Sequence, residues 1–336
     1  MVIPADDQAL TVLAEHYDEF NNLTHIASPP PGITDLVLNK ASTLQIAQKC
    51  GIRVPTTSSV SNSGELFGNS ADLPFPWVLK PSRKEVRTEE VKSYVLESPA
   101  AVKAAFRAAQ AFHPPMLLQE YCAGEGVGVE ILMHNGEPWA IFQHRRLKEF
   151  PRNGGMSVTA IAEQPSPNLV EKSISLLRAL RWQGPAMVEF RVNPDDGKAA
   201  FMEVNGRYWG TIGLAIRAGM NFPLYHWQLL HGEEPSVPHQ YAVGTLWRWP
   251  AGHVLRLHSL LRASRHSSAA RSELRQTLLR FLGPSSVQVP EGLPFQTDRI
   301  SSFLEVLDIL KLLCTCDAKE FLERFSQRAL RGSSRR

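Results

Sequence analysis

Two runs, Met187-Val-Glu-Phe-Arg-Val-Asn193 and Ala200-Phe-Met-Glu-Val-Asn-Gly-Arg207, flank the stretch Asn193-Pro-Asp-Asp-Gly197. That stretch is a dense turn signal: proline presets φ, Asn and Asp bond their own backbone, and glycine accepts positive φ. The flanking runs are rich in Val, Met and Phe, so the segment reads as a β-hairpin. Side chains alternate along a strand, which puts Glu203 and Asn205 on one face. Glu189 joins them in any antiparallel register that opposes odd numbers to odd, and in one such register it stands directly across from Glu203. Adjacent carboxylates repel, and a face otherwise built of apolar residues does not hold them without a cation. Magnesium suits such a set, because it takes a few carboxylate or amide oxygens and completes its octahedron with water and nucleotide phosphates. The competing reading is a solvated sheet face that binds nothing.

Outward from the hairpin, strands and helices alternate. Residues 168–181 have helical periodicity. Met116–Tyr121 is strand-like, and Gly124-Glu-Gly-Val-Gly128, Val129–Met133, a His134-Asn-Gly136 turn and Pro138–Arg146 together suggest antiparallel strands. Ser98 caps an expected helix to Ala111, and Leu73–Pro81 is a short strand delivering Lys80 to its end. A helical pattern runs from Thr34 through Leu44, Ile46 and Ala47 to a glycine stop at Gly51, and another occupies residues 8–20. The fold class is therefore α+β.

Bulk composition narrows the function classes. The 336 residues suffice for roughly two domains of about 100–200 residues each, and 43% are hydrophobic. A formal charge of +3 is too small to require an anionic partner for the chain as a whole. The acidic start lacks the pattern of a signal peptide, and no run reaches the length of a membrane span, so a cytoplasmic location is expected. Cys50, Cys122, Cys314 and Cys316 are too few for a disulfide framework and lack zinc-site spacing. Residues 254–281 carry six arginines against the single acid Glu273 with leucines between, which reads as basic amphipathic helix. It either packs on the core with a solvated basic face or docks on an anionic membrane or nucleic acid.

The string Phe201-Met-Glu-Val-Asn-Gly-Arg-Tyr-Trp-Gly210, preceded by Met187-Val-Glu-Phe190, resembles the metal-binding hairpin of the ATP-grasp superfamily, in the flavour of its carbamoyl-phosphate-synthase-like carboxylate-amine ligases. The resemblance covers roughly residues 35–235 and implies two α+β lobes with ATP between them. It implies that Glu189, Glu203 and Asn205 hold Mg2+, with Mn2+ as a substitute, and that Arg207 touches phosphate or the reacting acyl group. Lys40 and Lys80 resemble the two lysines directed at the nucleotide phosphates. Gln119-Glu-Tyr-Cys122 is similar to the interlobe linker, where the Glu120 carbonyl and the Cys122 N–H would meet the adenine edge; Glu125 is the ribose candidate. In the loop expected over His144–Gly155, Arg146 and Lys148 would offset charge on the transferred phosphoryl group.

Two departures accompany the resemblance. The segment Ser82–Glu90 has no glycine where the family has a glycine-rich lid, and Gly206 replaces the proline usual before the arginine, which is expected to loosen that turn. The domain reading is a remnant of a preceding domain over 1–34, lobes over 35–115 and 116–237, and a basic helical extension over 238–336. The implied activity is ATP-dependent joining of a small carboxylate to an amine through an acylphosphate; the alternative is a non-catalytic ATP-binding partner protein. No nucleic-acid partner is expected, and a homodimer stays open.

Overall fold

The computed structural model describes residues 1–61, 65, 74–84, 93–102, 104, 115–151, 154–265, 267–282, 304 and 307. These form two units, Met1–Arg145 with Ala162–Gly244, and Arg146–Ile161 with Thr245–Arg336. Arg152, residues 85–90, Cys314, Cys316 and the C-terminal tail lie outside the described residues.

The first unit opens with helices α1 (Asp7–Glu15), α2 (Tyr17–Asn21), α3 (Pro31–Leu38) and α4 (Lys40–Lys49). The single helical pattern expected from Thr34 is divided at Asn39. That residue is extended, its side chain accepts from the N–H groups of Ala41 and Ser42, and it pairs with Arg83. The cap ends one helix and starts the next, which sets Lys40 at a helix N-terminus.

Strands β1 (Thr57–Val60), β2 (Trp77–Pro81), β3 (Tyr94–Leu96) and β4 (Met116–Glu120) form an antiparallel sheet in the order β1-β4-β2-β3. Val60, Trp77, Leu79, Leu96, Met116 and Leu118 bury its apolar face. Ser98 Oγ accepts from the Ala101 N–H at 3.3 Å, as a capping serine should; the expected helix beyond it lies mostly outside the described residues.

The second sheet is built from β5 (Glu125–His134), β6 (Glu137–Phe150), β7 (Met156–Glu163), β8 (Gly184–Val192) and β9 (Ala199–Asn205), with α5 (Pro167–Ala179) between β7 and β8. Within the first unit the order is β6-β5-β8-β9, antiparallel throughout. Asn135 and Gly136, both at positive φ, make the tight turn from β5 to β6. Val127, Val129 and Ile131 of β5, Val188 and Phe190 of β8, and Phe201 and Val204 of β9 share one core with Leu176 and Leu177 of α5 and Leu44 and Ala47 of α4. Each such side chain contributes about 1.5–3 kcal/mol by leaving water, which fixes the face the sheet turns inward. After β9 come α6 (Ile212–Arg217) and α7 (Phe222–Leu230).

Two expected loops are strand. Glu125–Gly128 belongs to β5, where Glu125 pairs with Val192, and β6 continues through Lys148 and Glu149 to Phe150. The resemblance puts Glu125 and Gly126 in the interlobe linker, yet both pair with β8.

The second unit contains the last residues of β6, most of β7, β10 (Leu246–Arg248), α8 (Pro250–Ala263) and α9 (Ser268–Leu282). β10 pairs antiparallel with β7, and Phe150, Val158, Ala251 and Leu255 bury a small core. The one basic helix expected over 254–281 is two. The Ser267 hydroxyl accepts from the Ala270 N–H at 3.3 Å and starts α9, and Arg256 of α8 pairs with Glu273 of α9. Among the described residues no helix is long and apolar enough to cross a membrane.

Candidate active site

The register of the β8–β9 hairpin decides what faces where. Glu189 lies opposite Glu203 and Met187 opposite Asn205, but Phe190 pairs with Phe201, so Met202 is an extra residue in a β-bulge. The bulge changes the parity of β9. Before it, odd-numbered Phe201 faces the core; after it, Val204 does, and Glu203 and Asn205 face the other way with Glu189. A regular strand of the same sequence would turn Glu203 toward the Phe201 side. Glu189 and Asn205 are buried and the Glu203 side chain is about a quarter exposed.

Three lysines at the end of β2, just beyond it and at the start of α4 are buried. Lys80, at the end of β2, has its pKa lowered, chiefly by burial, against the raising influence of Glu203 and Glu189. Lys40 donates Nζ to the Pro81 carbonyl at 3.0 Å, while its backbone N–H is bonded to the Ser82 carbonyl at 2.8 Å. Lys84 makes the closest approach: its Nζ donates to Asn205 Oδ1 at 3.0 Å and to the Val204 carbonyl, and lies 3.6 Å from Glu203 Oε2. Sequence reasoning missed Lys84, having weighed its segment only for missing glycine. A signal was available, since Lys84 follows Lys80 by four residues beyond a strand end.

The expected adenine-binding stretch follows β4. Gln119 Nε2 donates to Thr57 Oγ1 at 2.8 Å, and the Glu120 carboxylate accepts from the Thr56 N–H at 3.0 Å and from Arg53 at 3.2 Å. Tyr121 and Cys122 are half-buried, and burial raises the Cys122 thiol pKa. Gly124 has φ of 128°, and a Cβ there would stand 2.4 Å from the Val192 carbonyl oxygen. Only glycine lets the chain pass so close to β8. Glu125 is held by Arg145 at 2.7 Å, and Arg145 reaches Glu163 at 2.6 Å. The hydrogen bond to Glu125 is the main cause of a raised Arg145 pKa.

Arg207 extends from just beyond β9. Its Nε and Nη2 each meet one oxygen of Asp7 at 3.1 Å, and its Nη1 donates to the Tyr208 carbonyl at 3.0 Å. Gly206 does not loosen the turn as expected. It is buried, and a Cβ there would lie 2.3 Å from Trp182 Cη2, so the indole itself fills the place.

A second buried pair lies on the carboxylate face, also missed from the sequence. Gly128 of β5 pairs with His144 on one side and Glu189 on the other. His144 Nδ1 is 2.5 Å from Glu130 Oε1 with both side chains essentially unexposed. A Cβ on Gly128 would meet the His144 ring at 2.6 Å.

Arg146 and Lys148 belong to the second unit. Arg146 Nη1 bonds the Gly155 carbonyl at 3.1 Å and lies 3.5 Å from Glu149, so it links β6 to the chain just before β7. Lys148, with Arg248 and Arg256, adds to the burial that lowers the His253 pKa to about 4.

Among the described residues no three His, Cys, Asp or Glu side chains are arranged to hold a metal. Glu189, Glu203 and the Asn205 amide supply two carboxylates and one neutral oxygen, which fits magnesium sharing its shell with phosphates and water. Two of the three, Glu203 and Asn205, already face the Lys84 ammonium.

Residues 112–248 match the family model described as ATP-grasp in the biosynthetic pathway with Ter operon. Solved structures with the same arrangement of elements extend the likeness beyond that stretch. The fold is ATP-grasp. Biotin carboxylase from Campylobacter jejuni is similar with a TM-score of 0.58 at 15% identity, over 70% of this chain and 56% of that one. L-amino acid ligase from Bacillus licheniformis gives a TM-score of 0.56 at 18% identity, over 71% and 60%. The biotin carboxylase domain of Hydrogenobacter thermophilus 2-oxoglutarate carboxylase, solved with MgADP and bicarbonate, gives 0.58 at 14% identity, over 70% and 54%. The chain thus spans little more than half the length of these ATP-grasp structures. No curated protein matches it.

Proposed function

We propose that this ATP-grasp chain binds Mg-ATP on the carboxylate face of its second sheet and joins a small carboxylate to an amine. The observation that carries the reading is the cross-strand pair Glu189–Glu203 with Asn205 beside it, approached by the buried lysines Lys80 and Lys84. ATP-grasp relatives that are ligases or are solved with nucleotide support the same reaction type.

Glu189, Glu203 and Asn205 would hold the magnesium ion, which when bound screens the charge of the phosphates. Lys40 and Lys80 bind the phosphate chain and keep it in line. The terminal phosphoryl group moves to a substrate carboxylate oxygen as its bond to ADP breaks, giving an acylphosphate. The amine nitrogen then attacks the acyl carbon, the bond to the phosphate oxygen breaks, and the amine gives up its proton, leaving amide and inorganic phosphate. The protein's part is positioning and electrostatics; no covalent nucleophile is needed. Arg146, Lys148 and Arg207 are assigned to the transferred group, the backbone of Glu120 and Cys122 to adenine with Gln119 and Tyr121 flanking, and Glu125 to ribose. The lobes are residues 35–115 and 116–237, after a remnant at 1–34 and before an extension at 238–336. A cytoplasmic location, small-molecule substrates, no nucleic-acid partner and a homodimer complete the reading, with Mn2+ able to replace Mg2+.

A second reading, a nucleotide-binding protein without turnover, is favoured by the engagement of Arg207 with Asp7 and of Arg146 with Glu149 and Gly155. ADP release from Mg-ATP in the presence of mixed L-amino acids and amines separates the two. Stabilisation by ATP that requires Mg2+, without ADP release, selects the second; no nucleotide effect on melting at all removes both.

A further inference from the structure

Lys84 occupies the position that a metal ion should take. Its Nζ is engaged by Asn205 Oδ1, Glu203 Oε2 and the Val204 carbonyl, so two of the three assigned metal ligands already hold a cation. The side chain is 5% exposed, and the backbone around it is fixed. The Lys84 N–H donates to the Leu38 carbonyl at 3.0 Å, Arg83 bridges to Asn39, and the Ser82 carbonyl accepts from the Lys40 N–H. These bonds tie residues 82–84 to the start of α4. An ammonium is a compact point charge on a flexible stem, and hard oxygens that satisfy it are the atoms magnesium prefers.

We propose that the Lys84 ammonium and a divalent cation compete for this one place. The inference rests on the assignment of Glu189, Glu203 and Asn205 as metal ligands. Without metal, Lys84 neutralises Glu203 and saturates Asn205. When a metal-nucleotide complex binds, the ammonium leaves those oxygens. A buried cation left without a counter-charge is costly, and the nearest incoming anion is the nucleotide's phosphate, so Lys84 moves onto it. Lys84 is thereby both a placeholder for the metal and a phosphate ligand. Lys80 serves as the internal comparison: it feels the charges of Glu203 and Glu189 from the end of β2, whereas Lys84 Nζ bonds Asn205 and pairs with Glu203.

The test uses the full chain without nucleotide and Mn2+ alone as probe, with free Mn2+ read by electron paramagnetic resonance. Lys84→Met is expected to tighten Mn2+ binding at least about ten-fold, whereas Lys80→Met changes it about two-fold through charge alone. Lys84→Met should also melt lower than the native chain without metal and recover on adding Mn2+; Lys84→Gln serves if the methionine variant does not fold. Unchanged or weaker Mn2+ binding in Lys84→Met, or equal tightening in Lys80→Met, overturns the proposal. Competition for Mn2+ without any nucleotide binding would leave the inference standing and sink the ATP reading; Mg-dependent ATP binding with no Lys84 effect on Mn2+ does the reverse.

Discussion

Lys40, Lys80 and Lys84 of the first unit are each less than a tenth exposed, and they lie against backbone carbonyls and the hairpin's polar face. In the second unit, Arg256 bonds the Glu149 carbonyl at 2.6 Å and pairs with Glu273, and Arg146 bonds the Gly155 carbonyl. Both regions carry cations, yet Arg256 and Arg146 bond within their own unit, while Lys84 lies against the Glu203 and Asn205 oxygens of the hairpin. Positive charge alone does not mark a site; burial of an ammonium beside carboxylate and amide oxygens is the more informative sign.

The comparison breaks first at the carboxylates. Glu203→Ala should lower Mg-dependent ADP formation by about 100-fold or more, measured by coupled assay, and should also lower the melting temperature without metal, because buried Lys84 loses its counter-charge. An equal loss from Arg256→Met would contradict the contrast between the two units.

A smaller effect concerns pH. Burial, with a contribution from His134, lowers the His226 pKa to about 4 from its ordinary 6.5. Unfolded chain binds a proton that the folded state refuses, so the stability from neutral His226 is complete above about pH 6.5 and declines as pH falls toward 4. The shift corresponds to about 3 kcal/mol. His226→Gln should flatten the dependence of unfolding free energy on pH in that window, as read by urea melts at fixed pH.

Arg256→Met should destabilise the second unit by about 1–2 kcal/mol through its lost bonds to Glu149 and Glu273. Nucleotide affinity measured by calorimetry should stay unchanged. The smallest effect is expected from deleting Met202. Removal of the extra residue leaves Phe201 opposite Phe190 and Glu203 opposite Glu189 in a regular ladder, so Mn2+ affinity should stay within about two-fold although a strand has lost a residue.

How much was legible follows from which interactions are local. The hairpin, its turn and the shared face of Glu203 and Asn205 were readable because alternation and turn chemistry act over a few residues. The bulge was not, since Phe201 and Glu203 carry the same parity and only tertiary burial of Phe201 separates them. Lys40 was legible as a helix-start residue, but the break at Asn39 that puts it there depends on pairing with Arg83, far along the chain. Lys84, the Glu130–His144 pair and the Asp7–Arg207 fork each join residues from separate segments. Periodicity carries no information about such pairs.

The contact of Gly206 with Trp182 bears on redesign. In the resembled motif a proline stiffens this corner; here an indole does so from outside, within 2.8 Å of any added carbon at both Cη2 and Cζ2. A consensus graft of proline at 206 would therefore collide unless Trp182 were shrunk in the same step. Which side chain can stand at 206 is therefore set from position 182, twenty-four residues back along the chain.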